Sequence, residues 1–192
     1  MRLFVGLDLD DAIRKRLVEY VRRLKPQVPD VRFVSTATYH VTLKFLGETH
    51  KLEEIRQALG KIEMPQFQLS VRGTGYFPDE RHPRVFWAGI EAGDELRELA
   101  TAVSWMVAEL GFEQENSFKP HLTLARSGSG RPQPRSGDKA NPRFQRLREL
   151  TATEPQVEFG TMTAREFFLY ESKLTPLGAQ YSKVERYELL AR

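Results

Sequence analysis

No cysteine occurs in the 192 residues, which excludes disulfides and thiolate metal sites and suits a reducing, cytoplasmic setting. No apolar run is long enough to span a bilayer, so no membrane partner is implied. The opening Met1-Arg2-Leu3-Phe4-Val5-Gly6-Leu7-Asp8 meets an acid within a few residues and reads as a first strand, not as a signal peptide. Histidine is scarce, at four residues, and no His-x-His or His-x3-His spacing exists, so the pattern gives a zinc site no support. With 40% hydrophobic and 29% charged residues the chain reads as globular. Its length suits one ordinary domain or two small fused lobes. A net charge of +3 is compatible with an anionic partner but is weak support alone.

What the chain does have is one short pattern written twice. His40-Val41-Thr42-Leu43 and His121-Leu122-Thr123-Leu124 use half of the histidines. Both copies lie in strand-like stretches, where residues two apart share a face. Each strand then offers an imidazole and a hydroxyl side by side, while Val41, Leu43 and Phe45, and likewise Leu122 and Leu124, turn into a core. Two such strands facing each other bring together two titratable groups and two hydroxyls, equipment for acid–base chemistry on a phosphate. One copy alone carries little weight, because short patterns arise by chance.

The surroundings also repeat. Leu3–Asp8 reads as a strand, Ala12–Leu24 as an amphipathic helix begun by Asp10 and Asp11 and stopped by Pro26 and Pro29, and Lys51–Ile62 as a second helix. Phe67–Phe77 then alternates as a strand. In the second half Val85-Phe86-Trp87-Ala88-Gly89-Ile90 echoes Leu3-Phe4-Val5-Gly6-Leu7, Asp94 begins a helix ended near Leu110 by Gly111, and a helix over Pro142–Leu150 and a strand over Met162–Tyr170 follow. Phe4 stands 36 positions before His40 and Phe86 stands 35 before His121. This spacing predicts an α+β fold, bilobal and pseudo-two-fold, with antiparallel-rich sheets flanked by helices and an active cleft between lobes. The repeat units run approximately 1–78 and 84–175, with a C-terminal strand over 180–190, in a single domain of interlocked lobes covering 1–192. Several strand pairs lack an intervening helix, which argues against a parallel sheet.

The doublet and its flanks resemble the two-histidine (2H) phosphoesterases, and within them the RNA 2′,3′-cyclic phosphodiesterases, which also go by the name 2′-5′ RNA ligases. Further stretches that carry the resemblance are Lys44-Phe45-Leu46-Gly47-Glu48, Pro83-Arg84-Val85-Phe86-Trp87, Lys119-Pro120, Ala125-Arg126, Leu169-Tyr170-Glu171-Ser172-Lys173-Leu174 and Gly178-Ala179-Gln180-Tyr181. The resemblance implies hydrolysis of RNA or nucleoside 2′,3′-cyclic phosphate ends to the 2′-phosphomonoester, with reversible 2′-5′ ligation as a companion activity. It implies His40 as proton donor and His121 as proton acceptor, a pair whose roles symmetry leaves open from the residues alone. Thr42, Thr123 and Arg126 are the expected phosphate-binding residues, with no metal, no cofactor and no obligate protein partner. Strict alternation from His121 turns Arg126 away from the site unless the strand ends or a bulge re-aims it. Alternatives are a phosphodiesterase for 2′-5′ linked oligonucleotides or small cyclic nucleotides, and a non-catalytic nucleotide- or RNA-binding module on the same fold.

Other candidates are weaker. Lys44 shares the His40 face on strict alternation, although a solvated lysine explains it equally well. His50 and His82 read as exposed polar residues. Asp8, Asp10 and Asp11 suggest a magnesium site, but helix capping explains the last two more simply. Tyr39, Phe45, Phe77, Trp87 and Tyr181 are candidates for base stacking or for core. The segment Ser127–Lys139 carries Arg131, Arg135 and Lys139 against Asp138; it reads as a surface loop or as a basic flap over a phosphate backbone.

Overall fold

The structure, a computed structural model, describes residues 1–114, 117–127, 142–176 and 178–191. All but Ser127 of the segment 127–139 therefore lies outside the described residues. Alternating and helical apolar periods produce, in the first half, β1 (Arg2–Leu7), α1 (Asp11–Leu24), β2 (Arg32–Phe33), β3 (Val41–Glu48), α2 (Leu52–Leu59) and β4 (Phe67–Phe77). The second half contains β5 (Val85–Ala92), α3 (Asp94–Ala108), β6 (His121–Arg126), α4 (Pro142–Thr151), β7 (Glu158–Ala164), β8 (Glu166–Thr175) and β9 (Gly178–Glu188). Helix α1 buries Ile13, Leu17, Tyr20, Val21 and Leu24 along one stripe. Asp10 occupies its N-cap position, yet its side chain makes no capping bond, contrary to the capping expectation; only its carbonyl is used, by the Arg14 amide at 3.0 Å. Gly111 closes the turn after α3 with φ of 91°, a conformation open to glycine.

The strands form two sheets, in the orders β3-β1-β8-β9 and β2-β6-β5-β4-β7, and every pairing within them is antiparallel. The antiparallel α+β expectation is met. Without the two-residue β2, the orders match strand for strand, β3-β1-β8-β9 against β6-β5-β4-β7. Each sheet borrows from the other half of the chain. Strand β4, written in the first half, pairs with β5 and β7, whereas β8, from the second, pairs with β1.

Two details differ from the sequence reading. The single strand expected over Met162–Tyr170 is two strands, broken at Arg165, because the chain leaves the second sheet there and enters the first. Alternation continues across the break and conceals it. Secondly, Phe4 and Phe86, matched by their spacing to the histidines, are not register equivalents. Phe4 pairs with Phe45, whereas Val85 pairs with Arg126, so the two β-strands align one residue away from that match.

One large core joins the helices to both sheets. On the other face of the first sheet Phe4, Phe168 and Tyr170 form a separate small cluster with Tyr181 against it. Alternation explains the split, since Leu3, Val5 and Leu7 point one way and Phe4 the other. Among the described residues no helix is long and apolar enough to cross a membrane.

Candidate active site

His40 stands just before β3 and His121 opens β6, so each imidazole projects where its strand begins. Both are oriented by the same device. His40 Nδ1–H donates to the Thr38 carbonyl at 2.6 Å, and His121 Nδ1–H donates to the Lys119 carbonyl at 2.8 Å, in each case two residues back. A carbonyl only accepts, so Nδ1 carries the hydrogen in both rings and Nε2 keeps its lone pair when neutral. The Thr42 hydroxyl donates to His40 Nε2 at 2.8 Å. Val41, Leu43, Leu122 and Leu124 are buried behind the motifs, as alternation predicts.

Both strands then break alternation at the same motif position. In β3, Thr42 pairs with Gly6 and Lys44 with Val5, leaving Leu43 as the extra residue of a bulge. In β6, Thr123 pairs with Trp87 and Ala125 with Phe86, leaving Leu124 as the extra residue. Past each bulge the faces are exchanged. Leu124 and Ala125 are both buried, and Arg126 returns to the histidine face. Its positive charge acts on both imidazoles and on Tyr181.

The bulge in β3 overturns two expectations. Phe45 does not enter the core; it is 55% exposed and lines the cleft. Lys44 is neither on the histidine face nor solvated, but buried at 4% exposure, with Nζ donating to the Glu113 carbonyl at 2.6 Å. Arg126 and Phe45 thus hold the corresponding place, five residues after each histidine, one as a cation and one as an apolar ring.

A cleft of about 410 Å³ opens beside these strands, walled by Thr42 and Phe45 from β3, Phe77 and Pro78 from the end of β4, and Ser117, Phe118, Lys119 and His121. Phe77 meets His121 edge-on at 4.9 Å. The ring of His40 lies 4.7 Å from Phe4 and 5.2 Å from Tyr181. Of the five aromatic candidates, Tyr39 is core, 2% exposed, its hydroxyl pushed up to about 12 by burial. Trp87 lies against Gly75, where an added Cβ would come within 2.3 Å of the indole. Phe118 was not singled out by sequence; its place three residues before His121 was the available signal.

Burial dominates the electrostatics of the histidines. It pushes His40 down to about 4, with the charges of Arg126 and His121 adding to the fall and the Thr38 bond and the Asp8 carboxylate opposing it. His121 is also lowered, by burial first and by Arg126, against its bond to Lys119. Asp8 sits near His40, whereas the residue paired with His121 is Gly89, without a side chain. Asp8 is engaged by Arg14 and Lys183, and among the described residues no group of three or more His, Cys, Asp or Glu stands where it could hold a metal ion. His50 is exposed, and His82 is exposed in a turn where Asp79 accepts its amide hydrogen at 2.9 Å.

Two HxTx strands of one strand order, each presenting an imidazole beside a hydroxyl, coincide with a family match along most of the chain. The sequence model of the "LigT like Phosphoesterase" family fits residues 7–87 and 90–181. The chain belongs to that family, the 2H phosphoesterases. The RNA 2′,3′-cyclic phosphodiesterase of Archaeoglobus fulgidus is 34% identical over 190 residues, covering 98% of this chain and all of that one. The solved structure of TT0787 from Thermus thermophilus superposes with a TM-score of 0.75 at 31% identity, over 98% of this chain and 97% of that one. That of E. coli LigT complexed with 3′-AMP gives 0.73 at 26% identity, over 98% and 97%.

Proposed function

We propose that this phosphoesterase hydrolyses the 2′,3′-cyclic phosphate of RNA 3′ ends or nucleosides to the 2′-phosphomonoester, by metal-free acid–base catalysis between His40 and His121. One observation carries the reading: both Nδ1–H groups are committed to backbone carbonyls, which turns His121 Nε2 to the cleft and His40 Nε2 to the hydroxyl of Thr42, a residue of the cleft wall, both rings under the charge of Arg126. The naming of the A. fulgidus relative as an RNA 2′,3′-cyclic phosphodiesterase supports the substrate class.

In this reading neutral His121 takes a proton from water as its oxygen forms a bond to phosphorus. Protonated His40 gives its proton to the 3′-oxygen as the P–O3′ bond breaks. The donor role of His40 follows the family resemblance; burial opposes its charged form, and Asp8 favours it, whereas no carboxylate faces His121 from β5. Thr42, Thr123 and Arg126 bind the non-bridging oxygens, where charge builds. The anionic phosphate offsets the field of Arg126 and eases protonation of His40. A 5′-hydroxyl in place of water gives a 2′-5′ linkage, and the reverse step cleaves one. Phe45, Phe77 and Phe118 offer ring faces to a base. We also propose that units 1–78 and 84–175, with the strand 180–190, make one domain, since neither sheet is complete within one half, and the cysteine-free composition suits a cytoplasmic setting.

The test is hydrolysis of 2′,3′-cyclic mononucleotides with chelator present, followed by product chromatography. The expected product is the 2′-phosphate at a rate independent of chelator, and His40→Ala or His121→Ala loses about 10²–10⁴ in rate while remaining folded. The two losses do not multiply, because the proton transfers share a transition state. A folded His121→Ala protein with near wild-type turnover overturns the reading, as does binding without turnover by the wild type.

A further inference from the structure

We infer that Arg14, seated on Asp8, is a positioning residue that fixes the orientation of His40. The inference rests on His40 being catalytic, as proposed above, but its geometry stands independently.

Arg14 lies in the first turns of α1, and Asp8 follows β1. The guanidinium of Arg14 donates to the Asp8 carboxylate at 2.6 Å, to the Thr36 carbonyl at 2.8 Å and to the Tyr39 carbonyl at 3.2 Å. Thr36 and Tyr39 bracket Thr38, the residue whose carbonyl takes the His40 Nδ1 hydrogen. The same turn is closed internally by the Thr38 amide and hydroxyl on the Ser35 carbonyl, at 2.9 and 2.6 Å. Two carbonyls around the critical one are therefore tied to a planar, rigid fork of donors, a task that a lysine's point charge cannot perform. Asp8 holds that fork in place. It accepts the Leu9 amide at 2.8 Å and is paired with Lys183 of β9. The Arg14 and Asp8 side chains are only 25% and 33% exposed, so solvent screens the pair less than it screens a surface pair. One arginine thus links α1, β1 and the turn before β3, with β9 joined through Asp8.

Nothing of this kind surrounds the other histidine among the described residues. Gly89 faces His121 from β5, and the nearby acid of that strand, Glu91, pairs with Arg72 of β4 at 3.4 Å. Among the described residues the clamp therefore distinguishes the two otherwise matched motifs and belongs to His40.

The direct readout is the nitrogen NMR spectrum of the His40 imidazole in substrate-free protein near neutral pH, beside steady-state hydrolysis of a 2′,3′-cyclic mononucleotide. Wild type should show one neutral tautomer, with hydrogen on Nδ1. Arg14→Gln should show mixed tautomers at His40 alone, with kcat down about 10- to 100-fold and KM within about twofold. Arg14→Lys should resemble Arg14→Gln, because charge is retained and the two carbonyl bonds are not. Arg56→Gln, which removes the unrelated pair with Glu185, should leave both readouts unchanged. If Arg14→Gln does not fold, Asp8→Asn carries the same test with a smaller kcat loss. An unaltered His40 tautomer and wild-type kcat in the folded variant overturn the inference, as does full rescue by Arg14→Lys. If His40→Ala is itself fully active, the catalytic reading has failed; the tautomer readout still decides whether the clamp exists.

Discussion

A neutral imidazole carries one hydrogen, and here the carbonyls of Thr38 and Lys119 settle which nitrogen has it. Arg126 then acts on both rings at once. Its charge disfavours protonation, so Arg126→Gln should raise the pKa of both histidines in the free protein while increasing KM for a cyclic phosphate. Chemical-shift titration checks the first outcome, and unchanged histidine titrations would place Arg126 away from both. A second consequence concerns stability. His40 titrates at about 4 when folded, against 6.5 for the exposed group, so between these values the unfolded chain binds a proton that the native chain does not. The contribution from a neutral, buried His40 is therefore full above about pH 6.5 and is lost as pH falls toward about 4. In urea unfolding, His40→Asn should lose less stability than wild type between these pH values; equal losses would contradict a neutral, desolvated His40.

At the scale of elements the decisive feature is the paired bulge. An extra residue at Leu43 and at Leu124 exchanges the strand faces, which brings Phe45 to the cleft, returns Arg126 to the histidine face and sends Lys44 inward. Strand β1 supports this edge closely. A Cβ on Gly6 would stand 2.9 Å from the Val41 carbonyl oxygen and 3.4 Å from the His40 ring. The first contact is with backbone, which cannot rotate aside. Gly6→Ala should therefore cost about 1–3 kcal/mol in stability and also lower kcat by displacing His40. Denaturant melts beside initial rates check both; wild-type values of each would mean that β3 yields freely.

Over the whole molecule, the exchange of β4 and β8 makes each sheet a product of both halves. A fragment ending at Glu80 leaves β1 without β8 and β4 without β5 and β7, exposing long strand edges. Cleavage between Glu80 and Arg81 should thus give halves that are unfolded or aggregated alone and regain structure and turnover when mixed. Circular dichroism and activity of each half and of the mixture decide the matter. A first half that folds independently would overturn the single-domain proposal. Helices α1 and α3 complete the same core.

Sequence alone determined the local features: the two HxTx strands, the β4–β5 and β8–β9 hairpins, the stripe of α1, and the burial of Val41, Leu43, Leu122 and Leu124. These follow from periodicities of two and 3.6, which each segment carries within itself. The family was legible too, because the motif doublet and its flanks are contiguous. Tertiary structure alone decided the rest. A bulge depends on what the neighbouring strand offers, so the inward turn of Lys44 and the outward turn of Phe45 and Arg126 could not be read from alternation. The break at Arg165 is a change of sheet, visible only once both sheets exist. The clamp of Arg14 on the turn before His40 joins residues 22 and 25 positions apart through a guanidinium, and no local pattern encodes that meeting. The fall in the histidine pKa values likewise comes from burial and from Arg126, quantities set by what packs around the rings and not by the residues beside them in the chain.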